Sequence, residues 1–300
     1  SFPTRRSSDL WEKELVETTF NDVRFSENGA FFLTGGNDRT VKMWDSKTGE
    51  ISVVYRGLLD EVQTVLFSEQ EDMIAASGAY ADNRIFMWNR KTRQIISKIE
   101  GDKRSIDGAK PVMDVIRFSG NGNFIVSGNR YGELDVWDIW KGDKKRSFTT
   151  FGSAILTLSW NPAGNSIAIG TREGQVYIVP IGRDSAMTNL NLHQGMVTDL
   201  EFAENGKRLI SSGLDKTVKI TSWQLPRPTI RVLQHEDYVF RTSVSANGKY
   251  ILSASRDGFL RIWDYETAEL LSKPGQEGNA ILTAGFMQND KTIFSYELGK

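Results

Sequence analysis

The stretch VSANGKYILSASRDGFLRIWDYE, residues 244–266, carries the pattern on which the fold turns. It opens with an apolar residue, two small residues and Asn247-Gly248, a pair that accepts positive φ and so marks a tight hairpin. Tyr250-Ile251-Leu252-Ser253 follows, aromatic and branched residues bounded by turn formers, which reads as a short strand. Arg256-Asp257-Gly258 then reverses the chain, and Leu260-Arg261-Ile262-Trp263-Asp264 reads as the next strand.

Outward from this unit, the opening motif recurs as FSENG at Phe25, FSEQED at Phe67, FSGNG at Phe118, WNPAG at Trp160, FAENG at Phe202 and FMQND at Phe286. Successive spacings, including Val244, are 42, 51, 42, 42, 42 and 42 residues. A second mark stands 19 residues after the first in three units, at Trp44-Asp45, Trp137-Asp138 and Trp263-Asp264. Trp88-Asn89 stands 21 after Phe67, so that unit holds two extra residues. No long stretch sustains an apolar period of about 3.6, so helices are not expected. Seven units of this length predict an all-β fold of seven four-stranded blades, a β-propeller.

These residues resemble the WD-repeat (WD40) family, over essentially all of residues 11–300. The resemblance implies a buried hydrogen-bond network in each blade, built from a loop His, a turn Asp, a Trp and a Ser or Thr. The fullest match is His235, Ser255, Asp257 and Trp263; Asp38 pairs with Trp44 in the first unit, and Asp82 stands likewise before Trp88. His193 and Asp215 keep two members in a unit whose Trp position holds Thr221. Buried indole and imidazole N–H groups need acceptors, which is the physical content of the set. The unit ending at Val179-Pro180 has lost the Trp-Asp pair and carries Glu173 where Asp is expected, and Tyr131 takes the Asp place before Trp137.

The ends read as cut. Ser1–Leu10, SFPTRRSSDL, resembles one reading frame of a sequencing adapter and is set apart from the propeller, which is assigned to residues 11–300 and is expected to be truncated at both ends. The Trp position of the seventh unit would fall beyond Lys300, so that blade is expected to be incomplete; residues near Trp11 to Thr19 lie where the resemblance places its outermost strand.

Composition narrows function. With 37 basic and 38 acidic residues the net charge is −1, which gives no global attraction to nucleic acid or to an anionic membrane. No cysteine is present, which removes disulfides, thiolate metal sites and cysteine nucleophiles while leaving the compartment open, with the cytoplasm as the default. No apolar run is long enough to span a bilayer as a helix. Both histidines, His193 and His235, fall in the structural position, which argues against a zinc or histidine acid–base site, and no phosphate-binding loop or nucleophile elbow is present. No cofactor is expected.

The expected function is a non-catalytic scaffold that binds other proteins. The alternatives are the propeller of a larger enzyme or signalling protein whose catalytic domain is missing, and a nucleic-acid-binding propeller. Two surfaces are candidates. The first is a rim where the repeat lengthens: Tyr80 beside the two-residue insertion, Lys103, Arg104 and Lys110 in a seven-residue insertion, and Tyr131 and Tyr238 at the same end. The second is a basic patch at the opposite end, in the turns that close the second and third blades: Arg90, Lys91 and Arg93, then Lys141, Lys144, Lys145 and Arg146.

Overall fold

The computed structural model describes residues 20–26, 28–68, 72–79, 82–101, 112–149, 151–182, 186–225, 227–287, 290 and 293–297. Each repeat folds as a meander in which consecutive strands pair antiparallel. In the first blade, β1 (Phe20–Phe25), β2 (Phe31–Gly36), β3 (Val41–Asp45) and β4 (Ile51–Tyr55) lie in that order. The innermost strands of the next units are β5 (Val62–Phe67), β9 (Val115–Phe118), β13 (Ile155–Trp160), β17 (Val197–Ala203), β21 (Val239–Val244) and β25 (Ile281–Phe286). Six units are complete four-stranded sheets. The seventh holds two strands among the described residues, β25 and β26 (Ile293–Glu297), so the chain is an all-β propeller of six full blades and a partial one. Among the described residues the seventh blade is not complete, and residues 11–19, read above as an outermost strand, lie outside them.

Alternation along each strand buries both sheet faces, because each blade is sandwiched between two others. Seven apolar clusters result, one between each neighbouring pair. Leu33, Val41 and Met43 of the first blade meet Val62, Ile74 and Trp88 of the second. The seventh cluster joins the ends of the chain: Val23, Phe32 and Trp44 pack with Phe20, Phe25 and Tyr296. There Phe25 stacks on Phe294 at 3.7 Å between centroids. Among the described residues, side chains rather than a backbone ladder bring the first and seventh units together.

The Trp-Asp pair has a local reason of its own. Asp45 Oδ1 accepts the N–H groups of Lys47 and Thr48, Asp138 Oδ1 those of Trp140 and Lys141, and Asp264 Oδ1 those of Glu266 and Thr267. A carboxylate two residues before such amides closes the turn between third and fourth strands. Asn89 does the same for Lys91 and Thr92.

In six units the innermost strand carries a register shift near its start, as between Phe20 and Asp22 or Val239 and Arg241. A bulge re-aims the side chain that follows it. The residues so placed are Asp22, Thr64, Thr157, Asp199, Arg241 and Thr283, and several bridge to the next blade. Asp22 accepts the Val65 N–H (3.1 Å), Asp199 accepts the Thr242 N–H (3.1 Å), and Thr64 donates to the Asp114 carbonyl (3.0 Å). Side-chain groups thus satisfy backbone atoms that no neighbouring strand reaches.

Candidate functional site

The buried network is centred on a hydroxyl that the sequence reading misplaced. In the sixth blade the Trp263 indole donates to Ser253 Oγ (2.9 Å), and His235 Nε2 lies 2.7 Å from the same atom. Ser255, two residues on, is buried but makes only 3.4 Å contacts, to the Asp237 carbonyl and the Asp257 N–H. The reason is register: Ile251 pairs with Trp263, and two residues along the same face brings Ser253, not Ser255, to the indole edge. Thr34 accepts from Trp44 and Ser127 from Trp137, both at 2.9 Å. The recurrence of Thr34, Ser77, Ser127, Ser211 and Ser253 nine or ten residues after five of the seven opening motifs was a legible signal for this position.

Asp257 is also placed differently from the expectation. It pairs with the buried guanidinium of Arg261 (2.7 Å) instead of with His235. His235 Nδ1 faces the Leu233 carbonyl at 3.2 Å, which can only accept, so Nδ1 carries the proton and Nε2 accepts from Ser253. Burial, with Arg261 nearby, pushes His235 down to about 4, and the ring is neutral at neutral pH.

In the fifth blade, Ser211, His193 and Asp215 do line up. His193 Nε2 is 2.8 Å from Ser211 Oγ and Nδ1 is 2.9 Å from Asp215. Burial pushes the Asp215 carboxyl up, but hydrogen bonds from His193, Thr217 and the Gln194 N–H outweigh it and hold it well below the usual range. This is the order of groups that activates a serine nucleophile. Here Ser211 is fully buried, so no substrate reaches its oxygen. Asp38 accepts from Thr40 in its own turn and pairs with Lys42, while Trp44 bonds Thr34 ten residues before it.

The turns between first and second strands and between third and fourth share one end, since Ile139 N–H meets the Asn123 carbonyl and Tyr265 N–H the Lys249 carbonyl. The basic patch sits there, but as a broken surface. Arg90 is largely covered, with its guanidinium 5.5 Å over the Phe31 ring. Lys144, Lys145 and Arg146 lie in a strand, Lys144–Phe148, rather than in a turn. Lys144 pairs with Asp135 (2.8 Å), Lys145 with Asp143 (3.1 Å), and Arg146 donates to the Gly182 carbonyl (3.2 Å). Lys91, Arg93 and Lys141 are exposed, beside Trp140 at 63% exposure.

The opposite end carries the rim. Arg256 N–H meets the Tyr238 carbonyl and Ala79 N–H the Glu61 carbonyl, which puts the other two classes of connection together. Tyr131 and Tyr238 are both half-buried on this end, Tyr238 under the Arg256 guanidinium at 5.4 Å. Asn129, not Tyr131, closes the turn before Trp137, accepting from the N–H groups of Tyr131 and Glu133. Tyr80, Lys103, Arg104 and Lys110 lie outside the described residues. The sequence reading missed Leu59, which is 66% exposed on this rim. Its N–H donates to Asp82, whose fully buried carboxylate also holds Arg84. A buried ion pair therefore fixes an apolar side chain pointing into solvent.

Among the described residues, no group of three His, Asp or Glu could hold a metal ion, and no helix is long and apolar enough to cross a membrane.

With this geometry in view, comparison with known proteins decides the family. Residues 19–297 match the family described as the IFT122 first beta-propeller. The chain belongs to this family. As a WD-repeat propeller it is also similar to Protein tipD of Dictyostelium discoideum, 25% identical across 92% of the chain and 46% of that protein. Autophagy-related protein 16 of Arabidopsis thaliana is 22% identical, over 91% of the chain and 53% of the relative. Nuclear distribution protein nudF of Aspergillus niger is 22% identical, over 80% and 58%. The chain spans about half the length of these relatives.

Proposed function

We propose that this propeller is a non-catalytic scaffold that binds a protein partner at the rim holding Leu59, Tyr131 and Tyr238. The observation that carries the reading is Leu59. An exposed leucine whose backbone is locked by a buried carboxylate loses little freedom on binding, and pre-set apolar anchors dominate interfaces. Leu59 joins the first blade to the second and Tyr131 lies in the third. The sealing of both histidines in hydrogen-bond networks, and the kinship with a family of propellers, support a role in assembly over chemistry. In this reading the partial unit β25 and β26 is the start of a seventh blade.

The test starts from a partner captured with the wild-type protein and identified. Leu59→Asp is expected to weaken its affinity by at least about tenfold, the range of a central anchor. Lys141→Asp, at the opposite end, should leave affinity unchanged. Equal affinity of Leu59→Asp and wild type, in protein with unchanged far-ultraviolet circular dichroism, would overturn this placement.

A further inference from the structure

We infer that the axial cavity of the ring is a binding site for a small molecule bearing an oxyanion, held by Arg117 together with Arg24. The cavity encloses about 390 Å³ and is lined by residues of all seven units. That volume suits a small ligand, at the lower end of the range of small-molecule sites.

Its wall is built from equivalent positions of the innermost strands. The residue before each opening motif is Arg24, Leu66, Arg117, Ser159, Glu201, Ser243 and Gly285, and all seven line the cavity. Arg24 and Arg117 therefore stand at one level, on either side of Leu66. Arg241, Asp199 and Asp22 lie one step along the strands.

The ion pairs there leave Arg117 out. Arg241 pairs with Asp199 (3.1 Å) and reaches Asp22 (3.8 Å), which also accepts from Arg24 (3.3 Å). Among the described residues Arg117 has no carboxylate within ion-pair distance; its guanidinium donates only to the carbonyl of Ile116, at 2.9 Å. Two units along, burial and the neighbouring Asp199 push Glu201 up to about 8, which weakens the charge it offers at neutral pH. Burial, then Arg24 and Arg241, lower Arg117 to about 9, against only partial compensation from Asp199 and Asp22. An anion in the cavity supplies what the wall lacks, and a planar guanidinium suits two-point contact with a phosphate or carboxylate.

Inorganic phosphate and acetate are the probes, titrated calorimetrically into the full chain at constant ionic strength. Arg117→Leu is the central variant: the second unit already holds Leu66 at this position, so the wall accommodates the side chain. Saturable one-to-one binding of phosphate is expected, weakened at least about tenfold by Arg117→Leu and partly restored by Arg117→Lys. Without anion, Arg117→Leu should melt higher than wild type, since it removes a half-buried cation that no carboxylate pairs; a purely structural arginine would give the reverse. Acetate binding as tightly as phosphate identifies a carboxylate ligand; phosphate alone binding identifies a phosphorylated one. The inference is overturned if neither anion saturates, or if Lys141→Ala, which removes an exposed charge, weakens binding as much as Arg117→Leu.

Discussion

At the scale of single residues, the hydroxyl of Ser253 satisfies two neighbours at once. Ser253→Ala leaves the Trp263 indole N–H and His235 Nε2 without a partner in a fully buried place. The expected loss is about 1–3 kcal/mol in chemical denaturation, because an unmet buried polar group bears its full desolvation cost. Ser255→Ala should cost clearly less, since its contacts are 3.4 Å long. Equal losses would show that the network does not turn on Ser253. The sequence made the composition of this set visible, as His, Ser, Asp and Trp at fixed intervals. Within this one unit it did not reveal which serine, because the choice between 253 and 255 depends on hairpin register; only the recurrence of a hydroxyl across the units points to 253. Nor did it reveal that Arg261 competes for Asp257: a cation three positions before Asp264 reads as an ordinary exposed residue, yet it is 3% exposed.

Elements come next, and turns are where the repeats differ. Gly206 has φ +86° and sits against the fourth blade: a Cβ there would come within 2.1 Å of Asn161 Oδ1, and its carbonyl accepts from the Trp223 indole at 3.0 Å. Gly248, at the equivalent place in the sixth unit, has φ +69° and open space around it. Both glycines sit in the left-handed region, so an alanine is strained at either. Only at Gly206 does a clash with a buried neighbour add to that strain. Gly206→Ala is expected to destabilise by more than about 1 kcal/mol, and by more than Gly248→Ala, in thermal melts of the two variants side by side. Similar melting temperatures would mean that the turn yields and that Asn161 shifts at no cost. Asn-Gly at both positions made the hairpins readable; the unequal surroundings are invisible to local sequence, since they come from a residue about forty positions away.

For the whole molecule, seven inner strands create an environment no single repeat has. Glu201 is expected to make stability fall as pH rises. Its carboxyl has an ordinary value of 4.5 and a folded value of about 8, so between these the native state holds a proton that the unfolded state releases. Stability then declines through that window and stays low above it. Glu201→Gln keeps an acceptor for the Val244 N–H and removes the titration. The variant should match wild type near pH 5 and exceed it on the order of a few kcal/mol by about pH 8.5. His235 works the other way: its folded value is lowered, so its contribution is lost as pH falls from about 6.5 toward 4. It is common to both proteins and cancels in their difference. Parallel melting profiles from pH 5 to 8.5 would refute the assignment of Glu201.

The sequence by itself determined the repeat, the all-β meander and the burial of both histidines. Those properties are local: a strand needs its alternation, a hairpin its Asn-Gly, and a closing turn its Asp after Trp, all within about twenty residues. It also offered seven cationic residues as one patch, and the tertiary structure divided them, because Lys144 and Lys145 meet carboxylates and Arg90 is half-buried against Phe31. Only the closed arrangement decided that Phe25 would stack on Phe294, that Asp82 would hold Leu59 outward, and that Arg24, Arg117 and Glu201 would share one cavity. The physical reason is the same in each case. Charge compensation and exposure depend on groups brought together from different blades, and the spacing within one repeat carries no information about what stands across the ring.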